Sequence, residues 1–254
     1  MEWTHLSSTV KIKTVSENEK GGVFEIGGLF AGYGLTIGNA LRRALLSSLP
    51  GAAVTEIKVK NAPHEFSTIP GVQEDIVELL LNFKKLRFHL HTDEPQTLIL
   101  KKKGEGTITA EDIKLNSDVD LMNPEEVLAH LTAKDAELDI EIKVERGLGY
   151  VPVENRKTEG GRLSIGTIAI DAIFTPVQSV NYTVEDMRVG DRTDYNRLKI
   201  EITTDGTISP SHALHKAANI LKDHFEKVSA IEMKDFEPSE ESTSAVKKTK
   251  KVKK

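Results

Sequence analysis

Leu138-Asp139-Ile140-Glu141-Ile142-Lys143-Val144-Glu145 places an apolar residue at every second position and a charged one between. Successive side chains leave a strand on opposite faces, so this stretch predicts a strand buried on one side and wet on the other. Leu198, Ile200 and Ile202 repeat the alternation. One-sided burial favours antiparallel pairing, since the strands of parallel sheets are covered on both faces. The same period predicts strands near 9–15, 22–28, 53–60, 86–92, 97–102, 138–145, 163–174, 177–184 and 197–204. Helical periodicity is confined to 36–49, 72–84 and 209–228, with a shorter helix at 124–131 after Asn123-Pro124. Strands outnumber helices and do not alternate with them, which predicts an α+β class rather than a doubly wound one.

Working outward, the 254 residues are 38% hydrophobic and 29% charged, enough for one large or two modest domains with a true core. Cysteine is absent, which excludes disulfides, thiolate nucleophiles and cysteine metal sites and fits a reducing cytosol. The first residues lack an apolar signal core, and no stretch approaches the roughly 18 apolar residues of a membrane span, so a soluble cytoplasmic chain is expected. Net charge is −5, but residues 237–254 hold six Lys and three Glu, leaving an acidic body of 28 Lys+Arg against 36 Asp+Glu. Such a body has no basic footprint for nucleic acid. The Lys-rich tail offers only weak, sequence-independent attraction to phosphates, and it lacks the apolar periodicity of folded structure.

Punctuation suggests boundaries at Pro50-Gly51 and at Thr175-Pro176. Either two sequential domains meet there, or residues 51–176 are inserted into a unit built from 1–50 and 177–234, ahead of a disordered 235–254.

Residues 35–49 carry the most information. Ile37, Ala40, Leu41, Ala44, Leu45 and Leu49 share one half of a helical wheel, while Asn39, Arg42, Arg43 and Leu46 share the other. Leucine among arginines on an outward face has the composition of a protein interface, though a solvated face with one stray leucine also fits. Gly32, Gly34 and Gly38 precede and enter this helix, but the third glycine falls one residue late for a dinucleotide loop. In the last helix Ser209-Pro210 supply a cap and first turn, and Leu214, Ala218, Leu221, Phe225 and Val228 follow at spacings of 4, 3, 4 and 3. That seam of helix-on-helix packing is met either within the protomer or by a second copy.

Catalytic and metal constellations are thin. His89 and His91 alternate on one strand face, and His212 and His215 share a helix, but no carboxylate or third histidine follows either pair at ligand spacing. Glu74 and Asp75 complement a helix dipole at the start of 72–84. Asn181-Tyr182-Thr183 fits a glycosylation sequon without other signs of secretion. No catalytic, cofactor-binding or metal residue is therefore nominated, and no cofactor is expected. The residues alone favour an assembly protein, with a stand-alone α+β enzyme of dispersed site as the alternative.

The segment Gly34-Leu35-Thr36-Ile37-Gly38-Asn39-Ala40-Leu41-Arg42-Arg43 resembles the opening helix of the bacterial-type RNA polymerase alpha-subunit family. His64-Glu65-Phe66-Ser67-Thr68, Gly71-Val72-Gln73-Glu74-Asp75-Ile76, Arg146-Gly147-Leu148-Gly149-Tyr150-Val151-Pro152, Arg192-Thr193-Asp194 and the run from Thr203 to Pro210 follow in the family's order. The resemblance spans residues 5–232 and implies a non-catalytic subunit of a DNA-directed nucleotidyltransferase, which homodimerises and scaffolds the beta and beta-prime subunits. It implies the inserted-domain arrangement, and dimerisation through the helices at 36–49 and 209–228, with Ile37, Leu41, Leu45, Leu214, Ala218, Leu221 and Phe225 as interface residues. Beta contact is expected at Arg42, Arg43, Leu46, His64, Glu65, Ser67, Gly71, Gln73, Glu74 and Asp75. Beta-prime contact is expected at Val177, Arg188, Arg192, Asp194 and Arg197. Phe30-Ala31 and Leu35 depart from the family's Glu-Arg and His, so no role is carried onto Ala31 or Leu35. Family members continue into a helical DNA-binding domain, to which the Lys-rich tail has no likeness; DNA contact is expected through the assembled complex and weakly through that tail.

Overall fold

A computed structural model describes residues 8–60, 62, 64–155 and 166–232. In chain order, β1 (Lys11–Glu17) and β2 (Gly21–Leu29) form a hairpin that leads into α1 (Tyr33–Ser47). Next come β3 (Pro50–Val59), α2 (Ile76–Phe83), β4 (Phe88–Leu90), β5 (Gln96–Lys103), β6 (Gly106–Thr109), β7 (Ile113–Lys114) and β8 (Val119–Leu121). After these follow β9 (Val127–Leu131), β10 (Glu137–Leu148), β11 (Tyr150–Val151), β12 (Thr167–Ala169) and β13 (Ala172–Ile173). The long hairpin β14 (Val177–Val189) and β15 (Arg192–Thr204) precedes α3 (Pro210–Ser229). The class is α+β, and the described strand pairs are antiparallel.

Among the described residues two large apolar cores organise these elements, with a small third cluster of Ala53, Ala172 and Phe174 beside them. One four-stranded sheet, in the order β1-β2-β15-β14, joins segments from both ends of the chain. Its buried face carries Phe24, Ile26, Val180, Leu198, Ile200 and Ile202, packed with Leu41, Ala44 and Leu45 of α1 and Ala213 and Ala217 of α3. The second core lies between positions 54 and 170, over a sheet of order β7-β5-β10-β3-β4-β8, where the alternation of β10 buries Leu138, Ile140, Ile142 and Val144 completely or nearly so. Ile76, Leu79 and Phe83 seat α2 on that sheet. Polar contacts link the two regions: Thr175 Oγ1 donates to the Leu46 carbonyl at 3.2 Å, and Arg87 Nε lies 3.7 Å from the buried Asp205 carboxylate.

Glycines decide how α1 sits. A Cβ on Gly34 would come within 2.7 Å of Val184 Cγ1, and one on Gly38 within 2.8 Å of the Tyr182 ring. The glycine pattern is thus used for close approach of a helix to β14 and β15, and the dinucleotide alternative has no support in it. Gly32 caps α1 in the left-handed region (φ 86°) and has no side chain to offer the helix end. Asn196 of β15, buried, supplies that function from across the fold: its Oδ1 accepts from Gly32 N at 2.8 Å and Gly34 N at 3.4 Å, while Nδ2 donates to Asp186.

Three expectations need correction. The short helix at 124–131 is strand β9, because Leu128, Ala129 and Leu131 are needed in the second core and β6 offers a pairing edge. Helix 72–84 begins only at Ile76, since Asp75 caps it by accepting from Glu78 N at 2.7 Å. Strands β14 and β15 run thirteen residues each, beyond the predicted ends, because their tips pair with each other while exposing both faces and so show no apolar period. Residues 163–165 of the strand predicted at 163–174, and the tail from 233, lie outside the described residues.

The chain divides into two compact units between Leu221 and Lys222, within α3. In the first, Leu214, Ile220 and Leu221 pack partly on the terminal core. In the second, Phe225 and Val228 are 65% and 68% exposed, and Lys222 pairs with Glu226 one turn on at 3.6 Å.

Candidate functional site

Three surfaces bring the predicted residues together. The first is α1 with its outward arginines. Arg43 is exposed, and its guanidinium has no hydrogen-bond or ion-pair partner among the described residues. Arg42, its neighbour, is instead tied to its own fold, donating from Nε to the Val180 carbonyl at 3.2 Å. Leu46 is half-buried against the terminal core. Leu41 and Leu45, expected at a dimer interface, are 5% and 0% exposed and thus belong to the protomer's own core. Ile37, Leu214 and Leu221 are half-buried there, whereas Ala218 and Phe225 are exposed.

The second surface is the segment from His64 to Asp75, which crosses to α2. Ser67 N donates to the His64 carbonyl at 3.1 Å, and the His64 ring lies 3.1 Å from Ser67 Oγ, forming a local turn. Gly71 has φ 79°, and a Cβ there would meet Ala136 at 2.7 Å, so only glycine fits the turn at this point. Val72 bridges Leu131, and Gln73 N donates to the His130 carbonyl at 3.0 Å. Glu74 does not serve the helix dipole: its carboxylate accepts from His130 Nδ1 at 2.6 Å and His130 N at 2.8 Å. Burial works to raise the Glu74 pKa, but the hydrogen bonds from the His130 ring and backbone outweigh it and hold the carboxyl below the ordinary glutamate range. His64, Glu65, Gln73 and Asp75 are left exposed on this segment. Between them stands Phe66, 79% exposed and not nominated from sequence. Its signal was present in the His64-Glu65-Phe66-Ser67 run, where a large aromatic sits among polar residues with no periodic apolar neighbour.

The third surface is the tip of the β14–β15 hairpin. Arg192 forks onto Asp194, with Nε–Oδ1 at 3.0 Å and Nη2–Oδ2 at 2.6 Å, and lies 5.0 Å above the Phe30 ring and 5.5 Å from that of Tyr195. The hydrogen bond from Arg192 holds the Asp194 carboxyl below the ordinary aspartate range. Arg188 is exposed and bonds the Gly190 carbonyl across the turn at 2.8 Å. Arg197 is half-buried beside Glu25 at 3.4 Å. Val177, expected on this surface, is 4% exposed and sits in the terminal core.

The histidine pairs separate. His212 lies 2.7 Å from Ser209 Oγ and His215 lies 3.4 Å from Asn219, both as helix-surface contacts. His89 and His91, by contrast, acquire a carboxylate that sequence spacing did not reveal, because Asp120 arrives from the adjacent strand.

Comparison with known proteins agrees with this architecture. Residues 56–175 match the family described as the RNA polymerase Rpb3/RpoA insert domain. The chain is 50% identical over 216 residues to the DNA-directed RNA polymerase subunit alpha of Carboxydothermus hydrogenoformans, covering 85% of this chain and 68% of that protein. It is 48% identical over 215 residues to the subunit of that name from Alkaliphilus oremlandii, covering 85% and 67%. The counterpart from Roseiflexus castenholzii is 46% identical over 235 residues, covering 92% and 71%.

Proposed function

Since the chain belongs to the DNA-directed RNA polymerase alpha-subunit family, we propose that two copies dimerise and together scaffold the beta and beta-prime subunits of the polymerase. In this reading the segments 1–50 and 177–234 form a dimerisation domain and 51–176 an inserted domain. The dimer interface is narrower than the sequence implied. Ala218 is exposed and Ile37, Leu214 and Leu221 are half-buried, Phe225 is exposed further along the helix, and Leu41 and Leu45 have no surface to offer.

The observation that carries the scaffold reading is the Arg43 guanidinium, unpartnered among the described residues, on the exposed face of α1. A long cationic side chain held on a rigid helix without an intramolecular partner is poised for a carboxylate or carbonyl of another chain. Beta contact therefore centres on Arg43 and the segment from His64 to Asp75, with Phe66 added as an apolar anchor. Beta-prime contact centres on Arg188, Arg192 and Asp194 at the hairpin tip. The test is capture by affinity-tagged large subunits. Arg43→Ala should keep the wild-type melting temperature and sedimentation while losing capture of beta roughly tenfold or more, since truncating an anchoring Arg typically costs about 2 kcal/mol. Equal loss of stability and capture would assign Arg43 to the fold instead.

A further inference from the structure

We infer that the paired strands β4 and β8 carry a surface site for a divalent first-row transition cation of the zinc type, with His89, His91 and Asp120 as ligands.

The strands create the site by register. His89 pairs directly with Asp120, while Phe88 opposes Leu121 and Leu90 opposes Val119. Phe88, Leu90 and Val119 are buried, so the alternation sends His89, His91 and Asp120 to the opposite, solvent-facing side. Beyond the strand end His91 N donates to the Asp118 carbonyl at 3.0 Å, which fixes the backbone under His91. The ligand atoms of the three side chains all lie within 4.8 Å of one another, and His91 Nε2 is 2.8 Å from Asp120 Oδ2. Donors at 2.0–2.2 Å from a tetrahedral zinc stand ~3.3 Å apart, so rotation of exposed side chains suffices to close the set. The imidazole rings already meet edge to face, with centroids 4.8 Å apart.

Two imidazoles and one carboxylate select zinc, nickel or copper over magnesium or calcium, which prefer oxygen donors. Three protein ligands leave the remaining coordination to water. His89 also lines a hollow shared with Arg146 and Lys216; Arg146 is paired with Asp93 at 2.6 Å, so among the described residues lining that hollow Lys216 is the cation without an ion-pair partner and opposes occupancy. The bound ion would clamp β8, the outermost strand of its sheet, to β4, each only three residues long.

The experiment titrates the full 254-residue chain, free of any affinity tag, with zinc chloride and separately with magnesium chloride, followed by calorimetry and thermal melting. One zinc per chain in the micromolar range, a higher melting temperature with zinc, and no magnesium binding are expected. His91→Ala and Asp120→Asn should each weaken zinc binding roughly tenfold or more, with the metal-free melting temperature unchanged. A His212→Ala, His215→Ala double variant should bind as the parent does. Copper electron paramagnetic resonance on the unmutated chain supplies a readout independent of any variant, with coupling from two imidazole nitrogens expected. Unchanged affinity in a His89→Ala, His91→Ala double variant, loss of binding in the His212, His215 variant, or an all-oxygen copper spectrum would overturn the site.

Discussion

Asn196 shows how much one side chain carries when it serves two elements. It closes the start of α1 in place of a local cap and joins β15 to Asp186 of β14. Asn196→Ala should lower stability by about 1–2 kcal/mol, combining a lost cap with a Gly32 N–H left unsatisfied, read as a lower urea midpoint with unchanged slope. Glu74 acts at the same scale on the segment from His64 to Asp75. Its folded pKa lies below the unfolded one, so its stabilisation is complete above the ordinary glutamate value and is lost as pH falls through the depressed folded value. Glu74→Gln should therefore melt lower than the parent at pH 7, by about 1 kcal/mol for a partly exposed charge-assisted pair, and the two should converge in acid. A gap that persists unchanged well below the glutamate range would mean the contact is steric. Neither role was legible in the sequence. Asn196 lies more than 160 positions from the helix it caps, and Glu74 looked like an ordinary first-turn acid.

At the scale of elements, period told truly wherever a face was buried and failed where pairing alone holds the backbone. Alternation in β10 and β15 marked the α+β class and both cores, whereas the β14–β15 tips and the short strands β7 and β8 bury too little to leave a pattern. Helix α3 holds two apolar stripes. Ala213 and Ala217 go inward against the four-stranded sheet, where small residues allow close approach. The seam read at 4-3-4-3 spacing is the neighbouring stripe, and its outer members Ala218, Phe225 and Val228 stay exposed. Because Leu221 packs partly on the protomer's own core, a charge there would disturb fold and association together. Phe225→Asp separates them: it should leave the far-UV spectrum of the protein intact and convert the dimer to monomer in sedimentation at micromolar concentration. A dimer that survives this change would place the interface on another face.

On the scale of the whole molecule, the acidic body and the Lys-rich 237–254 segment carry charge of opposite sign. Removing residues 237–254 should leave dimerisation untouched and reduce DNA retention by the assembled polymerase equally across sequences, with the salt dependence shallower by a slope of up to ~5 for six lysines. Sequence-selective loss would contradict that mechanism. The four-stranded sheet has a consequence in time as well as in space. β2 pairs with β15 from Leu29↔Asn196 to Gly21↔Thr203, so a nascent chain that has already emitted β1, β2 and α1 must wait for nearly the whole intervening sequence before its first sheet can close. At ~5–20 residues per second that interval is on the order of 10–35 s, during which Phe24, Ile26, Leu41 and Leu45 face solvent or a holding chaperone beside an open strand edge. The intervening segment, with its own core, can finish folding first, making the vectorial order of synthesis the reverse of the spatial order in which the ends of the chain are joined.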